Sequence, residues 1–262
     1  MSEVDKESFL GGKPPVVERS LLYWECMKAL KSVFYANNFT HFWVDRAEEL
    51  QKLMRSKAPD VVGDFYRYQI EKFTLTFSFS DDAIHQYQPI IREFSSFSTA
   101  VKILGIYENY FRVVIEKTRG ALPDLVGNFC ANHKKENAKA NNVKSMMSKA
   151  LYRGIVFAEE IFQYKPHVSY KTCVNFFFEM RNIAIHNLNK ADEKMCEVAK
   201  SEFIKLDKEL QISDTVEWSL LSVLQLNQFV LQMLDEIDAL VYTQLRLKTK
   251  QEKAYWYYEN TK

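Results

Sequence analysis

Ser169 to Asn187 reads SYKTCVNFFFEMRNIAIHN, and the period of its apolar residues decides the fold. At roughly 100° per residue, Asn175, Glu179, Asn182 and His186 fall on one narrow polar stripe. Cys173, Val174, Phe176, Phe177, Phe178, Met180, Ile183, Ala184 and Ile185 cover the remaining circumference, the pattern of a helix buried in a core. The polar stripe is expected to face a cleft or a partner. Arg181 stands apart, about 140° from His186 on the helical wheel. Either its stem reaches round toward the stripe, or its guanidinium is buried against a carboxylate from another helix. Taken alone, a buried Arg or His is as readily a satisfied structural residue as a catalytic one.

Outward from this helix, helical periodicity dominates. Toward the N-terminus it is expected from Ser145 to Tyr164, with Pro166 as separator, and from Ile90 to Lys117, with Asp81-Asp82 as cap, Pro89 near the start and Pro123 and Gly127 closing it. Toward the C-terminus it is expected from Lys190 to Leu206 and from Asp214 to Leu247. Leu21, Leu22, Trp24, Met27, Leu30, Val33 and Phe34 begin an earlier helical run that Phe42, Trp43, Ala47, Leu50, Leu53 and Met54 continue, with a break expected at Asn37-Asn38 and an end at Ala58-Pro59. Phe73 to Phe79 alternates apolar and polar residues, the period of a strand. A single strand would lack a partner, and the expectation is against one. The organisation read from this pass is a mobile arm over 1–17, interrupted by Gly11, Gly12, Pro14 and Pro15, a helical extension over 18–80, a helical domain over 81–247 and a basic, aromatic tail over 248–262.

Composition agrees with a helical chain. Only 7 Gly and 6 Pro in 262 residues leave few turns, and 47% apolar residues suffice for a large core. No apolar run is long enough for a membrane span, since Glu179 and Arg181 interrupt even the Phe176 region. The N-terminal MSEVDKESFLGGKPP lacks the basic start and apolar centre of a secretory signal, so a cytoplasmic location is expected. Cys26, Cys130, Cys173 and Cys196 form no CxxC pair and are expected as reduced thiols. His41, His85, His133, His167 and His186 show no ligand spacing, and neither a metal nor a cofactor is expected. No phosphate-cradling glycine loop, GxSxG or GxGxxG occurs, which removes the usual support for nucleotide hydrolysis, dinucleotide binding and serine hydrolysis.

Arg181-Asn182, then three residues, then His186 is similar to the Arg-polar-x3-His motif of the HEPN superfamily. Ile103 to Lys117 (ILGIYENYFRVVIEK) resembles the helix that carries an acidic residue in the RiboL-PSP-like branch, with Glu108 at the matching place. Lys205 to Val241 resembles the extended piece and final helix that follow the motif there. The likeness spans roughly residues 81–247, while the N-terminal segment and the Lys-rich stretch after Val126 depart from it. It implies an all-α, HEPN-like helical bundle with extra N-terminal helices. It also implies a homodimer in which two motifs meet across a two-fold axis, and a metal-independent endoribonuclease in a toxin or antiviral defence role.

The chemistry fits those residue types. RNA cleavage without a metal needs the 2′-hydroxyl to lose a proton as it attacks phosphorus and the leaving 5′-oxygen to gain one. Histidine titrates near neutrality and can do either, which is the role implied for His186. Arg181 would neutralise phosphate oxygens through bidentate bonds. Asn182 would orient the imidazole or the phosphate, and Glu108 would hold Arg181 or His186 or assist proton transfer. An antitoxin or regulatory protein is a further partner that the resemblance allows. The alternative is a non-catalytic HEPN-fold module that binds RNA or protein, in which the motif only stabilises the dimer.

Two further segments carry an RNA expectation. Lys134, Lys135, Lys139, Lys144 and Lys149 stand against the single acid Glu136, which reads as a solvated face or as a phosphate-contacting loop. In the tail, Arg246, Lys248, Lys250 and Lys253 precede Tyr255, Trp256, Tyr257 and Tyr258. Rings that stack on bases and lysines that meet phosphates suit single-stranded RNA, though such a cluster equally docks on its own core. With a net charge of +1, any nucleic-acid surface must be local.

Overall fold

The computed structural model describes residues 16–47, 49, 52, 65–70, 73–78, 81–133, 154–202, 204 and 209–253. The chain is predominantly helical, as the periodicity requires. In chain order the elements are β1 (Val16–Ser20), α1 (Leu21–Asp45), β2 (Phe65–Ile70), β3 (Phe73–Ser78), α2 (Asp81–Ala121), α3 (Pro123–Asn132), α4 (Ile155–Phe162), α5 (Val168–His186), α6 (Glu193–Ala199), α7 (Leu220–Gln244) and β4 (Thr249–Lys253). Two compact units divide them. One takes in Met1–Lys28, Tyr107–His167 and Leu231–Lys262, the other Ala29–Ile106 and Val168–Val230, so α1, α2 and α7 each contribute one end to each unit.

The first unit holds a two-stranded sheet built from segments far apart in sequence. β1 and β4 pair antiparallel, with Val16 opposite Lys253 and Ser20 opposite Thr249. The arm expected through residue 17 and the tail expected from 248 are therefore partly strand, because each supplies the partner that the other lacks. Ser20 then caps α1, its hydroxyl accepting from the Tyr23 amide at 3.1 Å. Fully buried Asp238 of α7 accepts from the Ser20 amide (2.8 Å), the Ser20 hydroxyl (2.6 Å) and the Tyr110 hydroxyl (2.9 Å). Burial nevertheless pushes its carboxyl up, against the three hydrogen bonds and Arg19. Arg19 grips Asp235 with both Nε and Nη2 at 2.8 and 2.9 Å, and Trp24 donates to the Lys250 carbonyl. The same unit buries Tyr107, Phe111, Val114, Phe157, Phe162 and Ile237. Gly154 precedes α4 at φ +84, where a Cβ would fall 2.1 Å from the Phe111 ring; only glycine fits there. Pro123 opens α3 rather than closing the preceding helix, and Gly127 lies inside α3. Proline is tolerated at a first helical position because its missing N–H has no intrahelical acceptor there.

The second unit holds the motif helix. α5 runs from Val168 to His186, within a residue of the expected span. Val174, Phe177, Phe178, Met180 and Ile183 on α5 are buried, as are Leu30, Ala100, Ile103, Leu104, Met195, Trp218, Val223 and Leu226 elsewhere in the unit. Trp218 stacks on Phe177, with centroids 6.2 Å apart, and meets Phe97. α1 passes Asn37-Asn38 unbroken, because buried Asn37 finds a partner in Ser95, whose hydroxyl donates to its Oδ1 at 2.9 Å. Residues 18–80 are not wholly helical. β2 and β3 form an antiparallel hairpin, with Phe65 opposite Ser78 and Ile70 opposite Phe73, so the strand expected to lack a partner has one immediately before it. α6 is shorter than the run expected from Lys190, because Asp192 caps it by accepting from the Met195 amide at 2.8 Å. α7 starts at Leu220 rather than Asp214, behind a Ser219 hydroxyl that accepts from the Ser222 amide. The Ala58-Pro59 end lies outside the described residues.

Candidate functional site

The last turns of α5 and the turn into α6 bring the motif together with groups from three other segments. Arg181 is half-buried, and its guanidinium carbon sits 4.7 Å from the centroid of the Phe178 ring, one turn back along the same helix. A helical side chain leans toward the N-terminus, and a planar cation over a ring face gains from the ring quadrupole. The guanidinium lies over this aromatic neighbour.

Asn182 is held from below. Its Nδ2 donates to Glu179 Oε2 at 3.1 Å, and Lys194 of α6 donates to Glu179 Oε1 at 2.8 Å. The Glu179 side chain is 4% exposed while that of Lys194 is 55% exposed. A buried carboxylate with a cation reaching in from solvent is a satisfied anchor rather than a bare charge. His186 ends the helix with its side chain exposed, and among the described residues no hydrogen bond joins it to Arg181 or Asn182. Ile185 and Leu188 beside it are 53% and 86% exposed.

Behind His186 the backbone is tightly specified. The amides of Asn187 and Asn189 both donate to the Ile183 carbonyl, at 2.8 and 3.2 Å. Leu188 and Asn189 take left-handed conformations, φ +50 and +62, which asparagine tolerates and leucine adopts at a cost of about 1 kcal/mol. Such a turn persists only if its surroundings fix it. Asn189 Nδ2 donates to Glu93 of α2 at 2.9 Å. The Val216 amide donates to the Asn189 carbonyl, and Ala191 exchanges bonds with Ser213 and Asp214. Burial, then the neighbouring Glu217, pushes the Glu93 carboxyl up.

Glu108 lies half-buried on α2 in the first unit, whereas Arg181, Asn182 and His186 belong to the second. Among the described residues, Glu179 is hydrogen-bonded to Asn182 of the motif, and Glu93 and Asp192 to Asn189 and Asn187 of the turn behind it. Glu179 was visible in the sequence as the stripe residue three before Asn182, a spacing that puts the two side chains in reach. Glu93 carries no such signal, because only folding brings it to Asn189. Lys134, Lys135, Lys139, Lys144 and Trp256 lie outside the described residues. Among the described residues no cluster of three or more His, Cys, Asp or Glu could hold a metal ion, and no helix is long and apolar enough to cross a membrane. No protein-family model, curated protein or solved structure matches this chain.

Proposed function

We propose that this chain is an endoribonuclease of the HEPN type, acting as a two-fold dimer in which Arg181 and His186 of both copies line one RNA-binding cleft. The observation that supports it best is the exposed His186 at the end of a buried helix whose polar neighbours are pinned. The imidazole is presented to solvent on a turn that its own residues would not hold unaided.

In this reading one imidazole removes the proton of the 2′-hydroxyl and the oxygen attacks the adjacent phosphorus. The bond to the 5′-oxygen breaks, and that oxygen takes a proton from the second imidazole. A 2′,3′-cyclic phosphate and a 5′-hydroxyl result, with no water consumed in the step. The Arg181 guanidinium neutralises charge as it builds on the phosphate oxygens. Because one copy supplies one imidazole, the second copy completes the pair. Glu108, Lys134, Lys135, Lys139, Lys144 and Trp256 keep their place as candidates for orienting the site or contacting RNA, in a toxin or antiviral defence role within the cytoplasm.

A second reading, a non-catalytic HEPN-fold module for RNA or protein, draws on the Asn182–Glu179 bond, which spends the amide on the helix itself. One experiment separates the two. Purified protein is incubated with mixed cellular RNA in EDTA, and the ends of any fragments are identified. Cyclic or 3′-phosphate with 5′-hydroxyl ends, lost in folded Arg181→Ala and His186→Ala variants, support the nuclease. Equal cleavage by parent and variants assigns the motif a structural part and leaves the binding module.

A further inference from the structure

α1 is amphipathic the wrong way round in the second unit. From Asn37 to Asp45 its inner face is polar. Asn37 accepts from Ser95, His41 meets Ser96 at 3.2 Å, the Val44 carbonyl accepts from Gln88, and Asp45 pairs with Arg92. Its outer face carries Tyr35, Phe39, Phe42 and Trp43 at 59%, 63%, 49% and 41% exposure. Their spacing of four, three and one residues makes one stripe along a helix. Phe39 and Phe42 both stand edge-on to Trp43, with centroids 5.7 Å away, so the stripe is a pre-packed ridge rather than scattered rings. Large exposed apolar patches mark interaction surfaces.

Charges bracket this ridge. At one end the Lys31 ammonium sits 5.7 Å from the Tyr35 centroid. At the other the Arg46 guanidinium covers Phe42 at 4.8 Å and pairs with Glu49 at 2.9 Å, both side chains being exposed. We propose that the outer face of α1 is a self-association surface on which α1 of a second copy lies antiparallel. The pattern is self-complementary. Thr40 lies midway in sequence between Lys31 and Glu49, so with a two-fold axis crossing near it each lysine meets the other copy's glutamate, and Phe39 of one copy packs on Phe42 of the other. Isologous contact of this kind satisfies both ends at once.

The area agrees. An aromatic side chain offers 150–250 Å², so four half-exposed rings present roughly 400 Å² per copy. With the Lys31, Arg46 and Glu49 stems added, the pair buries roughly 1,200 Å², the lower edge of stable interfaces. The surface is distinct from the α5 motif, and the inference stands whether or not the motif cleaves RNA.

Sedimentation velocity of the full chain over a concentration series, at low ionic strength, tests it. Lys31→Glu and Glu49→Lys each place two like-charge contacts in the symmetric pair and weaken association by about tenfold. An equimolar mixture of the two variants restores it, because both contacts in the mixed pair are again of opposite sign. Phe39→Glu, with an unchanged far-UV circular dichroism spectrum, removes the step. Pairing through α5 is untouched in every sample and cancels in the comparison. If the mixture associates no more tightly than either variant alone, or if Phe39→Glu associates like the parent, the ridge serves another protein or a membrane surface and the proposal fails.

Discussion

Replacing Glu179 tests the link between the fold of α5 and its chemistry. In Glu179→Ala the Asn182 amide loses its acceptor, Lys194 loses its carboxylate and a hole opens under the helix, where Glu179 is 3% exposed. The bond from Asn182 to an ionised acceptor is worth about 1.5 kcal/mol net. Lys194 is more than half exposed and returns to water, so its ion pair adds only about 0.5 kcal/mol. The cavity left by one methylene and a carboxyl contributes about 1 to 2 kcal/mol. The sum is about 3 to 4 kcal/mol. Glu179→Gln keeps the shape and one acceptor for Asn182, and is expected to cost about 1 kcal/mol. Urea denaturation measures both. In the nuclease reading, an Asn182 no longer held lets the motif shift by fractions of an ångström, and cleavage falls by about 10- to 100-fold in Glu179→Ala, with Glu179→Gln in between. A Glu179→Ala protein within 1 kcal/mol of the parent would falsify the assignment of Glu179 as an anchor. Normal stability loss with undiminished cleavage would instead separate Asn182 from the chemistry.

Other outcomes follow from single features. Gly154→Ala drives a methyl into the Phe111 ring from a left-handed backbone, and is expected to lower urea stability by about 3 kcal/mol or more; a value below 1 kcal/mol would mean that the loop moves aside. Burial lowers the pKa of His41, with Asp45 opposing and Arg92 adding to the effect. Its contribution to stability is therefore present above about pH 6.5, the unfolded value, and is lost as pH falls through the lowered folded value. His41→Gln should flatten that part of the stability profile, and an unaltered slope would refute it. Burial, helped by Glu25 and Asp238, pushes the Cys26 thiol up to about 12, so a thiol reagent at pH 8 should label Cys26 only after unfolding; labelling of the folded protein, followed by mass spectrometry, decides.

The helical class and the span of α5 were legible locally, because apolar residues at a 3.6-residue period have one compact solution, a helix with that face buried. The sequence also located Arg181, Asn182 and His186, whose spacing is local and survives any packing. Proximity in space was another matter. The strand period of Phe73 to Phe79 was legible, but not its pairing with Phe65–Ile70. The Val16–Ser20 ladder joins segments separated by nearly the whole chain, which no local pattern can announce. The wheel gave the azimuth of Arg181 but not the turn of its stem onto Phe178, since rotamers answer to neighbours. The strained turn behind His186 needs Glu93 and Val216 to hold it. The sequence cannot show those partners, because the free energy that favours a strained backbone comes from contacts that exist only once distant segments have met.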